Sequence, residues 1–177
     1  MADRVNEVAA HYGLKLMAEF GLTAVQVAGL LGNLAHESGR FTVFKEIGSG
    51  PNSGGRGWAQ WSGQRRLTFL GYAAAHRLDP KSDEASYGYL CVEFHGAYKS
   101  VITALKRCVT VESAATTVEK LYEAAGRPMM SSRIAFARRI LAILSPGHPA
   151  SVAPPARRSA RAPMAKKRTR SRHHRHA

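Results

Sequence analysis

Apolar residues recur at helical spacing along most of the first 145 residues. Val5, Val8, Ala9, Leu16 and Phe20 predict a helix over 4–20, broken at Gly21-Leu22. Thr23 then reads as an N-cap, with Gln26 three residues on completing a capping box. Val27, Leu30, Leu31 and Leu34 follow as the buried stripe of a second helix that stops at Gly39. Helical patterns return at about 63–77, 83–107, 111–125 and 132–144, most clearly at Tyr87, Leu90, Cys91, Phe94 and Tyr98. Residues 41–61 differ. Phe41, Val43 and Ile47 alternate with polar residues, a Gly/Ser/Pro/Asn-rich stretch fills 48–55, and Gly57-Trp58-Ala59-Gln60-Trp61 makes a second short segment. That texture predicts a small irregular β-ribbon around a loop, so the expected class is α+β, mainly α.

After Ile140-Leu141-Ala142-Ile143-Leu144 the pattern stops. Residues 146–177 are rich in Pro, Ala, Ser, Arg and His, with almost no large apolar side chains to offset the entropy of ordering, and are expected to be a disordered tail behind a domain of residues 1–145. The tail changes how the net charge of +14 is read. Nine of the 26 Lys and Arg lie in residues 148–177, which hold no acid, so the folded part carries only a modest excess. No apolar run approaches the ~18–20 residues of a membrane-spanning helix. The N-terminus shows no signal-peptide pattern, from which synthesis in the cytoplasm is expected. Cys91 and Cys108 sit in apolar helical context and are read as buried free thiols.

Candidate chemistry begins at Glu37. It lies three residues after Leu34 and seven after Leu30, on the face of the core leucines and in the last turn of its helix. Partial burial and the negative end of the helix dipole both favour a protonated carboxyl, the form a general acid for glycosidic cleavage needs. Position alone leaves open a solvated Glu37 at a helix end, or one paired with Arg40.

The neighbouring sequence adds a resemblance. Gly32-Asn33-Leu34-Ala35-His36-Glu37-Ser38-Gly39, then Gly57-Trp58-Ala59-Gln60-Trp61 with Arg65-Arg66, and later Leu121-Tyr122-Glu123-Ala124-Ala125-Gly126-Arg127-Pro128, resemble the phage tail lysozyme family of the lysozyme-like superfamily over about residues 5–144. The last segment departs from that family in the extra residues between Glu123 and Arg127. A Glu-Ser and Gly-x-x-Gln pair is also similar to goose-type lysozymes and lytic transglycosylases. The resemblance implies a lysozyme-like fold with the ribbon beside the active-site helix. It implies cleavage of the β-1,4 bond between N-acetylmuramic acid and N-acetylglucosamine, with Glu37 as proton donor and no cofactor. Gln60 would face it across a cleft, with Ser38, Trp58 and Tyr122 as further substrate-binding candidates. Strand alternation puts Trp58 with Gln60 on one face and Trp61 on the other, so Trp58 is expected on the sugar and Trp61 in the core.

A hydrolase of this kind usually carries a second carboxylate. Glu46 is the first candidate, because it follows Glu37 at the spacing seen in phage-type lysozymes; Glu93 and Glu123 are the fallbacks, and their helical context favours pairing with Arg or Lys. Without a second carboxylate, the sugar's own C6 hydroxyl displaces the bond and leaves an anhydro product, as in lytic transglycosylases. His36, His76 and His95 are scattered and lack metal-ligand spacing, so no metal is expected. The partners expected are peptidoglycan and, through the tail, anionic envelope polymers or lipopolysaccharide. No specific nucleic acid is expected, since no nucleic-acid motif accompanies the basic tail. A monomer made in the host cytoplasm and acting on the wall as an endolysin, or carried on the virion, completes the reading. A non-catalytic polyanion-binding protein is the rival of another class.

Overall fold

Asp3 opens the first helix: its Oδ1 accepts from the Val5 backbone N at 2.9 Å, starting α1 (Arg4–Val8). A π turn over Ala9–Gly13 carries α1 into α2 (Leu14–Phe20), so the helix expected over 4–20 forms with one wide turn in it. Gly21, at φ 61°, ends it in left-handed space. The computed structural model describes residues 3–124, 126 and 128–145. The expectations for the tail at 146–177 therefore lie outside the described residues.

Helix α3 (Ala24–Glu37) starts as the sequence predicts. Thr23 Oγ1 accepts from Gln26 N, and Gln26 Oε1 accepts from Thr23 N. The chain then runs through an irregular segment to α4 (Gly63–Ala75), α5 (Asp83–His95), α6 (Lys99–Leu105) and α7 (Val111–Val118). A second π turn (Glu119–Glu123) and α8 (Met130–Leu144) complete it. The single helix expected over 83–107 is two, because Gly96 (φ −105°, ψ −116°) leaves helical space. Cys108 is buried and Cys91 half-buried, both as free thiols.

Helix α3 is the axis of the domain, with every residue from Gln26 to Ala35 buried. Two glycines allow this. A Cβ on Gly32 would lie 2.7 Å from both Ala137 N and Arg133 O of α8, and one on Gly29 would strike Ala114 of α7. Backbone therefore packs on backbone along two sides of α3, and the remaining core gathers round it: Leu16, Phe41, Trp58, Trp61, Phe69, Leu90 and Leu105, none more than 1% exposed.

The described residues are mainly helical, as expected, and the β-ribbon expected over 41–61 has no strands among them. The described residues carry only two isolated antiparallel bridges, Lys45 with Arg56 and Arg56 with Trp61. Residues 57–60 are a tight turn, with Gly57 at φ 65° and Gln60 at φ 46°. Arg56 and Trp61 exchange both backbone hydrogen bonds around it, at 3.0 and 2.8 Å. In place of a ladder, the buried Arg56 guanidinium donates to the carbonyls of Pro51 (3.0 Å), Ser53 (2.9 Å) and Gly55 (2.9 Å). One side chain thus satisfies the carbonyls of Pro51 and Ser53 and shares Gly55 O with the Glu46 backbone N.

Candidate active site

Glu37 ends α3 with its side chain 23% exposed, and its Oε1 accepts from Arg133 Nη2 at 2.5 Å. Arg133, on α8, is itself 1% exposed and makes two further bonds: Nη1 reaches Asn33 Oδ1 at 3.1 Å and Nε reaches Pro128 O at 2.5 Å. Asn33 is fixed in turn, its Nδ2 donating to Gly29 O at 2.9 Å and to Ala115 O at 3.0 Å. A chain of short bonds therefore runs from the backbone of α3 and α7 to the Glu37 carboxylate. The Gly32-Asn33 step belongs to it: glycine admits α8, and asparagine orients the arginine that α8 brings.

Beside this pair, His36 Nδ1 lies 3.0 Å from Ser132 Oγ. Burial and then the Arg133 charge push the His36 pKa down, so the ring is neutral at neutral pH. Glu123, at the end of the second π turn, moves the other way. Burial first, and the Glu37 charge second, push its carboxyl up to about 8, against the opposing charges of Arg133 and Arg65. Its Oε1 is buried with no hydrogen-bond partner among the described residues. Glu123 therefore keeps its proton at neutral pH beside the Glu37–Arg133 ion pair.

The π turn that carries Glu123 is anchored by a separate polar node. Glu93 on α5 accepts from Arg65 Nε and Nη2 at 2.8 Å each, from Trp61 Nε1 at 2.8 Å and from Tyr122 OH at 2.5 Å. Arg65 also lies over the Tyr98 and Tyr122 rings. A buried carboxylate with four donors is fully committed, so the bland reading of Glu93 as an Arg partner holds.

Several residues expected at the site are placed elsewhere. Trp58 is 0% exposed, donates from Nε1 to Asp83 Oδ1 at 3.1 Å and packs edge-on to Tyr12 and Phe41, so it is a core residue and not a sugar platform. Trp61 is core, as expected. Tyr122 is 2% exposed with its hydroxyl spent on Glu93, so it does not line a surface. Ser38 is buried and closes the end of α3, donating to Leu34 O at 2.6 Å and accepting from Phe41 N at 3.0 Å. Its position supports the three left-handed residues that follow, Gly39, Arg40 and Phe41, rather than a ligand.

Gln60 is half-buried, and its Nε2 donates to Val43 O and Gly57 O at 2.8 Å each, tying the 57–60 turn to the segment after Glu37. Glu46 turns back on its own loop, with Oε2 accepting from Gly55 N at 2.8 Å. The residue that sequence reasoning missed is Arg133. Its signal was legible: it falls in phase with Ala137 and Ile140, so a charge lay on the buried stripe of α8.

A model of the phage tail lysozyme family matches residues 9–144, from the first π turn to the last residue of α8. No curated protein matches the chain. The family match takes in Glu37, Arg133, Glu123 and the whole polar frame around them, and the chain belongs to the phage tail lysozyme family, a group of peptidoglycan-lytic phage enzymes.

Proposed function

We propose that the protein is a muramidase that cleaves the β-1,4 bond between N-acetylmuramic acid and N-acetylglucosamine, acting on bacterial peptidoglycan as a phage lysin. The observation that carries this is Glu37, the carboxylate of the cluster that solvent reaches, on a helix end that buried bonds hold in one orientation. In this reading Glu37 protonates the leaving sugar oxygen, and no cofactor takes part. Glu37→Gln should keep the fold and the binding to purified walls while losing turf-clearing activity; full activity in that variant overturns the assignment.

A second reading is lytic transglycosylase action, in which the sugar's own C6 hydroxyl is the attacking group in place of a water activated by Glu46; Glu46 Oε2 accepts from Gly55 N of its own loop and makes no contact with Glu37 among the described residues. Mass spectrometry of the digested glycan separates the two, since a hydrolase leaves reducing-end muramic acid and a transglycosylase leaves 1,6-anhydro ends. The basic segment 148–177 serves in this proposal to concentrate the enzyme on anionic envelope polymers through screened charge attraction. Its deletion should weaken attachment to whole cells at low salt and spare cleavage of soluble glycan; equal loss on both substrates counts against that role.

A further inference from the structure

Glu123 is the buried titratable group that the mechanism so far leaves unused. It faces charge from four elements: Glu37 on α3, Arg133 on α8, Arg65 on α4 and Glu93 on α5, with Tyr122 beside it on its own turn. Glu93 takes up Arg65 in two hydrogen bonds, and Arg133 divides its donors among Asn33, Pro128 and Glu37. None of these donors reaches Glu123 Oε1, which stays interior and unpartnered among the described residues. A carboxylate left in that position would be an uncompensated buried charge, whereas a carboxylic acid is tolerated there. With Arg133 at +1 and Glu37 at −1, the cluster is neutral only when Glu123 keeps its proton.

We propose that Glu123 is the proton store of the active site, paired with Glu37 across Arg133 and acting through Glu37 rather than on the sugar. This rests on the reading of Glu37 as the group that meets the glycan. At rest Glu37 is a carboxylate on Arg133 and Glu123 is an acid. When glycan covers Glu37 and excludes water, the proton passes from Glu123 to the free oxygen of Glu37, directly or through one water. Glu37 gives that proton to the glycosidic oxygen as the bond to C1 breaks and its electron pair goes to the leaving oxygen. The Glu123 carboxylate is transient and faces only the charges of Arg133 and Arg65 meanwhile. Water, or the C6 hydroxyl, then bonds to C1 and releases a proton, which restores the acid at Glu123.

Glu123→Gln is the direct test, since an amide copies the shape of the neutral acid but gives up no proton. Folded E123Q should lose about a hundredfold in kcat. Wild type should show an alkaline limb near pH 8, and any residual activity of E123Q should lack it. Wild-type kcat with an unchanged alkaline limb overturns the proposal. The second measurement needs no substrate: a carbon-13 NMR titration of wild type labelled at the Glu side-chain carboxyl. One carboxyl should titrate near 8, and its midpoint should fall in E37Q, where the neighbouring charge is gone. No carboxyl titrating above pH ~6 overturns the proposal, whether or not E123Q folds. Because this titration does not involve glycan, its result is independent of the Glu37→Gln activity test, and the two readings stand or fall separately.

Discussion

Arg133 and Glu37, 96 positions apart in the chain, meet at 2.5 Å through Nη2 and Oε1. The contact exists only because Gly32 lets α8 lie on α3 and Asn33 takes the opposite arm of the guanidinium. Arg133→Met removes a buried cation and leaves Asn33 Oδ1 and Pro128 O without their donor, so stability should fall by about 3 kcal/mol in urea unfolding. Arg133→Lys should not rescue it, because one ammonium cannot reach three acceptors arranged around a planar fork.

Gly32→Ala tests the helix contact itself. The new methyl meets backbone atoms of Arg133 and Ala137, which cannot turn aside as a side chain would. The expected loss is about 1–3 kcal/mol, and kcat should drop as well, since α8 carries Arg133 away from Glu37. Gly126→Ala is the control: nothing lies within 4 Å of a Cβ there, so its unfolding midpoint should stay near wild type.

Trp58 separates packing from sugar stacking. Trp58→Phe gives up the Asp83 hydrogen bond and part of a filled interior, which should destabilise by about 1–3 kcal/mol. KM for soluble glycan should be unchanged. A raised KM at unchanged stability would return the indole to the substrate.

Stability should also depend on pH through Glu123. Below about 4.5, its ordinary value, the folded and unfolded chains both hold the proton and no penalty arises. Between there and about 8 the unfolded chain releases it and the folded chain does not, so stability falls across that window and the loss is complete above it. The size is about 1.4 kcal/mol per pH unit separating the two states. Calorimetry of E123Q against wild type at pH 5 and pH 9 checks the sign: the variant should gain on wild type at the higher pH.

The helices were legible because their signals are local. Thr23 and Gln26 lie three residues apart, and the stripe from Val27 to Leu34 needs only helical phase to be read. Residues 41–61 were misread for a physical reason. Assigning Trp58 and Trp61 to opposite faces assumes a two-residue period, and Gly57 and Gln60 both turn left-handed, which destroys that period. Glu37 could be singled out from its phase and its neighbours, but the burial and dipole argument contained no cation. Arg133 enters from the far end of the chain, and Glu123 acquires its character only once α3, α4, α5 and α8 are folded round it. Its helical context had suggested a partner of opposite charge, and its Oε1 has none among the described residues.

Arg56 fastens the stretch 51–55 from within, through three carbonyls. Replacing it with a short polar residue would release the carbonyls of Pro51 and Ser53 and leave Gly55 O on Glu46 N alone, opening 48–55 to proteases while the helices stay intact. The same dependence makes this segment adjustable. Because no ladder of backbone bonds has to be rebuilt, lengthening or trimming it around a retained Arg56 can reshape the ground beside the active carboxylate without refolding the domain, a ready handle for fitting the enzyme to a different wall.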